Sequence, residues 1–216
     1  MNPILAEIAN VLQSSKPKNV TELVKKALDE GISASEILSG GLMAGMDVIA
    51  EKFKNNELFV PEVMSAASAM NAATEILKPH MTEGEAKPLG KCILGTVKGD
   101  LHDIGKNLVK MMLEGKGIEV IDLGVDVSPE KFVETHKEMK ADIVALSALL
   151  TTTMPEMKKT VDAFVEAGLR DEVVIMVGGA PITENSRGLA GADLYAPDAA
   201  SAAELAKQAI AQKLGA

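Results

Sequence analysis

From residue 91 onward the chain alternates between two periodicities, and this alternation limits its fold more than any other feature. Short apolar runs near 92–97, 118–122, 142–147, 173–177 and 193–196 read as buried strands. Apolar residues recur at helical spacing near 104–115, 129–140, 155–168, 181–189 and 199–214. Ser128-Pro129 marks one helix start, and Pro181 or Thr183 another. Five strand–helix units imply an α/β architecture, a doubly wound parallel five-stranded sheet of flavodoxin-like order 2-1-3-4-5. In that order the chain reverses between the first and third strands, so the loops after them flank a crevice where ligands bind.

Residues 1–80 carry a different pattern, helical throughout. Ile4, Leu5, Ile8, Val11 and Leu12 form one apolar stripe, and Val20, Leu23, Val24, Ala27 and Leu28 a second, closed by Gly31. Ser33-Ala34-Ser35-Glu36 has capping-box spacing and opens a third helix reaching about Phe53. Pro61 suits the first turn of a fourth. The chain therefore reads as an N-terminal four-helix bundle over 1–80, a linker over 78–90 rich in Pro and Gly, and an α/β domain over 91–216.

Composition narrows the function. With 216 residues, 47% hydrophobic and 25% charged, the chain can bury a full core. A formal charge of −9 opposes non-specific nucleic-acid binding, which needs clustered Lys and Arg. No apolar run approaches the roughly 20 residues of a membrane helix, and no charged-then-apolar leader is visible. A soluble, cytoplasmic protein without nucleic-acid or membrane partners is expected. The single cysteine, Cys92, excludes an internal disulfide and reads as a buried strand residue. Four Phe, one Tyr and no Trp leave little for a site that stacks bases or a flavin.

The crevice expected between the first and third strands brings together two unusual loops. The first, Gly99-Asp100-Leu101-His102-Asp103-Ile104-Gly105, places a carboxylate and an imidazole two residues apart in a glycine-bounded turn. Histidine offers a neutral nitrogen to a metal, and a carboxylate on the other ring nitrogen raises its basicity. Taken alone, His102 reads as well as a turn or cap residue, and Asp100 as a solvated acid. The second loop, Ser147-Ala148-Leu149-Leu150-Thr151-Thr152-Thr153-Met154, interleaves four hydroxyls with apolar side chains. Thr153 could continue a relay from Asp100 or cap the helix near Pro155. Gly178-Gly179 ends the fourth strand at the same edge, allowing close approach to the backbone or simply a tight turn.

Other ligands of such sheets lack their residues. A phospho-accepting receiver needs an Asp ending the third strand, where Ser147 stands. Neither G-x-x-x-x-G-K-[ST] nor G-x-G-x-x-G occurs. A zinc hydrolase needs further ligands, and His136 is expected on a surface helix facing away. A metal that brings its own ligands fits one protein imidazole better.

Asp100-x-His102-x-x-Gly105, with Ser147-x-Leu149 and Gly178-Gly179, strongly resembles the three-part signature of cobalamin-binding proteins. The likeness spans the chain and is nearest to the corrinoid proteins of methyltransferase systems for methylamines, methanol, betaines or methoxylated aromatics. It extends to the cobalamin-binding region of methionine synthase. The resemblance implies that His102 is the metal ligand, the lower axial ligand of cobalt, with Asp100 and then Thr153 behind it. It implies that Asp103, Gly105 and Leu149 lie against the cofactor, and that Ser147 and Thr151 contact its displaced nucleotide tail. Gly178 and Gly179 would line the slot for that tail, and Tyr195 would close its far wall. Phe53 and Val60 would shield the upper corrin face.

The implied cofactor is cobalamin, as methylcobalamin or a related corrinoid. The implied role is a methyl carrier between a substrate-specific methyltransferase and a second one using tetrahydrofolate or a thiol coenzyme as acceptor, with a corrinoid-reactivating protein as a further partner. A cobalamin-dependent isomerase subunit or a cobalamin-dependent regulator is the alternative. The former brings a substrate barrel for which there is no room, and the latter a DNA-binding segment that is not visible.

Overall fold

A computed structural model describes residues 2–14, 19–81 and 87–214. The chain divides into two compact units, Met1–Pro88 with Gly115–Gly117, and Leu89–Glu114 with Ile118–Ala216. Residues 82–86 of the expected linker lie outside the described residues.

The first unit is helical. α1 (Pro3–Leu12) begins at Asn2, whose side chain accepts from the Ile4 N–H at 3.3 Å. α2 spans Val20–Asp29, and α3 (Ala34–Ile37) starts where Ser33 Oγ accepts from the Glu36 N–H at 3.2 Å. The third helix is not uniform as expected. A π-turn at Leu38–Met43 separates α3 from α4 (Ala44–Lys54), a widening that period-3.6 reasoning does not register. α5 runs Val60–Leu77, and the Phe59 N–H before it is taken up by Glu62 Oε2 at 3.0 Å. Ile8, Leu12, Val24, Ile37, Leu42, Ile49, Val63 and Leu77 form the buried interior of this unit.

The second unit is a five-stranded parallel sheet in the order β2-β1-β3-β4-β5. Its strands are β1 (Lys91–Thr96), β2 (Glu119–Asp122), β3 (Ile143–Ser147), β4 (Val174–Gly178) and β5 (Leu194–Ala196). The helices are α6 (Ile104–Gly115), α7 (Pro129–Met139), α8 (Met154–Glu166), α9 (Glu184–Ala190) and α10 (Ala199–Leu214). Ser128 and Thr183 are the N-caps expected of them. Strand residues alternate between faces. Ile93, Val97, Val144, Leu146, Ile175 and Val177 pack with Phe132, Met157, Val161 and Phe164 from α7 and α8. The right-handed crossover from β1 to β2 places α6 on the other face, that of Cys92, Leu94, Ala145 and Met176, and Ile210 of α10 lies beside Gly90 on the same side. Burial pushes the Cys92 thiol up to about 12, so this sulfur is inert packing.

His136 departs from expectation. It lies on α7 but is buried, its ring edge-on to Phe164 at 5.5 Å between centroids. Neither ring nitrogen has a hydrogen-bond partner, and Glu172 Oε2 is 3.8 Å from Nε2. The sequence around it is polar, which hides the inward position.

Candidate functional site

The register of the sheet sets the site. Thr96, Ser147, Gly178 and Ala196 are aligned partners across β1, β3, β4 and β5, a row of small residues at the carboxyl edge. They share the face opposite Val144, Leu146 and Val177, because neighbours in a strand point to opposite sides. Small side chains in consecutive strands keep bulk away from this edge, where Thr96 and Ala196 are buried.

Above this row the loop after β1 carries Asp100, which is fully buried. A buried carboxylate must be paired or richly hydrogen-bonded. Asp100 Oδ1 accepts from the His102 N–H at 3.1 Å and lies 2.7 Å from His102 Nδ1. Oδ2 accepts from the Leu149 N–H at 2.8 Å and the Leu150 N–H at 3.3 Å, and Thr153 Oγ1 is 2.8 Å away. Burial opposes ionisation, but the Leu149 N–H, the His102 ring and the Thr153 hydroxyl outweigh it and hold the Asp100 carboxyl well below the usual range.

An anionic Asp100 can only accept, so His102 Nδ1 donates to it, and in the neutral imidazole the lone pair then lies on Nε2. The His102 side chain is half exposed. Thr96 Oγ1 donates to the His102 carbonyl at 2.9 Å, a buried support that the sequence reading missed, though its place in line with Ser147 was the available signal. Around the imidazole the two loops expose large apolar side chains: Leu101 at 71%, Ile104 at 77%, with Leu149 and Leu150 less so. Among the described residues no group of three or more His, Cys, Asp or Glu could hold a metal ion. A metal on Nε2 must arrive with most of its coordination already filled.

The other expected residues are placed as follows. Thr153 is buried and stands at the start of α8, but its side chain makes no cap bond; the hydroxyl faces Asp100 and the Leu150 carbonyl instead. Thr151 is exposed in the same loop. Asp103 is exposed and accepts from Asn107 Nδ2 at 3.1 Å, away from the Asp100 cluster. Gly105 has open space where a Cβ would stand. Gly179, with φ of +132°, would put a Cβ 1.9 Å from the Ala148 carbonyl oxygen, so the sheet itself demands glycine there. A Cβ on Gly178 would meet the Ala196 carbonyl at 3.1 Å. Tyr195 aligns with Val177 and packs against the core on the face opposite Ser147 and Gly178. In the helical unit Phe53 and Val60 are half-buried, while Phe59 and Met64 nearby are exposed. No helix among the described residues is long and apolar enough to cross a membrane.

Two profiles, both described as B12 binding domain, match residues 90–206 and 4–78. The chain is 44% identical to dimethylamine corrinoid protein 1 of Methanosarcina acetivorans, over 96% of this chain and 98% of that one. Among solved structures, a cobalamin-binding protein from Desulfitobacterium hafniense is 34% identical with a TM-score of 0.81, covering 95% of this chain and 98% of the other. A methanol:cobalamin methyltransferase complex from Methanosarcina barkeri reaches a TM-score of 0.87 at 28% identity, covering 97% of this chain and 80% of its counterpart.

Proposed function

This chain belongs to the B12-binding domain family, and on that premise we propose that it carries methyl groups on a bound corrinoid. It would accept them from a substrate-specific methyltransferase and deliver them to a second methyltransferase, whose acceptor is tetrahydrofolate or a thiol coenzyme. A corrinoid-reactivating protein would be a third partner. The observation that carries the reading is His102, fixed by buried Asp100 with its Nε2 lone pair free, amid exposed leucine and isoleucine side chains. Exposed apolar surface of that size suits a broad macrocycle that brings its own nitrogen ligands.

When bound, the corrinoid supplies a cobalt that takes up a methyl group and gives it up again. The protein's part is to ligate and to orient. Asp100 holds the Nδ1 proton, so Nε2 is the nitrogen presented to the metal, and Thr153 steadies the carboxylate from behind. The hydrogen bond from Nδ1 to Asp100 would hold the ring in this orientation whether or not Nε2 carries the metal. The row of small residues Thr96, Ser147, Gly178 and Ala196 supports the assignment of Ser147, Thr151, Gly178 and Gly179 to the displaced tail, since it keeps bulk away from that edge. Asp103, Gly105 and Leu149 would lie against the same cofactor, and Phe53 and Val60 would shield its upper face; Tyr195, on the other face of the sheet, has no part in it.

Reduced holoprotein mixed with a panel of methylated donors and candidate methyltransferases tests the reading. Methyl uptake dependent on one donor–enzyme pair, followed by transfer to tetrahydrofolate or a thiol coenzyme, is expected. A holoprotein inert toward every pair, or one that cleaves its cofactor to radicals, would contradict it.

A further inference from the structure

The segment joining β2 to α7 has no part in the assignments above, yet it grips the peptide on which the His102 arrangement is built. Asp126 adopts φ of 53°, a left-handed conformation that Asp tolerates better than most side chains. In this conformation its N–H donates to the Asp100 carbonyl at 3.0 Å. Its Oδ1 accepts from the Gly99 N–H at 2.7 Å. One residue thus holds both outer polar groups of the Gly99–Asp100 pair. Gly99 has φ of +80°, and within the turn the Asp100 N–H donates to the Val97 carbonyl at 3.1 Å.

Both flanks of the gripping segment are tied down. The Val127 N–H donates to the Thr96 carbonyl at 3.0 Å, joining the segment to the end of β1. At the other flank Asp122 Oδ1 accepts from Lys106 Nζ at 2.7 Å, and this ammonium is almost wholly buried. Lys106 sits four residues past His102 and bonds Asn107 Oδ1 at 2.7 Å as well. The His102 loop is therefore fastened to the segment before and after the imidazole.

We propose that Asp126 is a positioning residue for the metal-binding imidazole. By fixing the Gly99–Asp100 pair it sets where the Asp100 carboxylate meets His102 Nδ1, and hence which ring nitrogen stays unprotonated. Its purpose rests on the corrinoid reading, but the positioning does not, and the test separates the two.

The test uses apoprotein labelled with 15N-histidine, at about pH 8, above the ordinary imidazole range. Two-bond proton–nitrogen spectra report the His102 tautomer, with His102→Gln identifying its signals. The wild type should show the Nδ1–H form. Asp126→Gly keeps the backbone angle but loses the acceptor, and should move a substantial share of His102 to the Nε2–H form. Asp126→Asn keeps both the angle and the acceptor, and should restore the wild-type spectrum. Corrinoid affinity of the glycine variant should fall about tenfold, as for losing an outer partner of a metal-bound imidazole. A wild-type tautomer in Asp126→Gly would overturn the proposal. Should that variant not fold, Asp126→Ser serves, with an intermediate shift expected and an unshifted tautomer overturning the idea. Wild-type protein that shows the tautomer pattern but takes up no corrinoid would sink the corrinoid reading alone.

Discussion

Thr153 Oγ1 lies 2.8 Å from Asp100 Oδ2, although 53 positions separate them in the chain. The loops after β1 and β3 meet at this buried carboxylate, which also takes the Leu149 N–H and His102. One acid thus ties together the two loops at the reversal point of the sheet.

Replacing Thr153 by Val keeps the shape and deletes the hydroxyl. Loss of about 1.5–3 kcal/mol is expected, the range for a hydrogen bond to a charged group. Urea unfolding at neutral pH checks this: the midpoint should fall with the slope unchanged. An unaltered midpoint would mean that the Leu149 and Leu150 amides suffice.

Asp100 also dictates an acid response. Its folded carboxyl is held below the ordinary range, so between the two values the unfolded chain binds the extra proton and stability rises with pH. The contribution is complete above the unfolded value of about 4 and is lost as pH falls toward the lower folded value. Asp100→Asn should therefore be markedly less stable than wild type at pH 7, with the gap narrowing at about pH 3. Chemical denaturation at the two pH values would reveal a constant gap if the carboxylate charge were irrelevant.

His136 predicts the opposite design choice. Burial lowers its basicity, Glu172 partly opposing, so the folded chain resists the proton that the unfolded chain accepts. Stability is complete above the unfolded value of about 6.5 and declines as pH drops below it. Neither buried nitrogen has a hydrogen-bond partner among the described residues to offset this cost. His136→Leu should flatten the stability profile between about pH 7 and 5, and match or exceed wild type at the acid end. Thermal unfolding across that interval measures it; an undiminished slope would assign the effect elsewhere.

Two of the three signature glycines should behave differently. Gly179→Ala forces a Cβ into the Ala148 carbonyl and should prevent normal folding. Gly105→Ala meets nothing in the protein and gains helix propensity of up to about 1 kcal/mol. If Gly105 is glycine for the cofactor's sake, that variant keeps its fold and loses corrinoid affinity. Circular dichroism with a corrinoid titration separates the outcomes, and full affinity would remove Gly105 from the site.

Strand order, helix boundaries within a few residues, and the Asp100–His102 turn were legible because each has a short-range cause. Alternating apolar runs, Ser128 and Thr183 caps, and a glycine-bounded turn all act over a few positions. What escaped depends on distant partners. The inward His136 is set by Phe164 of another helix, and the π-turn at Leu38–Met43 has no separate period in the sequence. Tyr195 was expected with Gly178, but strand alternation assigns them to opposite faces once the register is fixed. Asp126 went unnoticed because its partners, Gly99 and Asp100, lie on a different strand's loop.

On the proposed reading, His102 Nε2 would hold the metal of a bound corrinoid. Electron paramagnetic resonance of the cobalt(II) corrinoid form, grown with 15N-histidine, reads it directly. We predict that the nitrogen triplet becomes a doublet on labelling and disappears in His102→Ala. A triplet untouched by the label, or a splitting preserved without the imidazole, would contradict the ligation on which the whole mechanism is built.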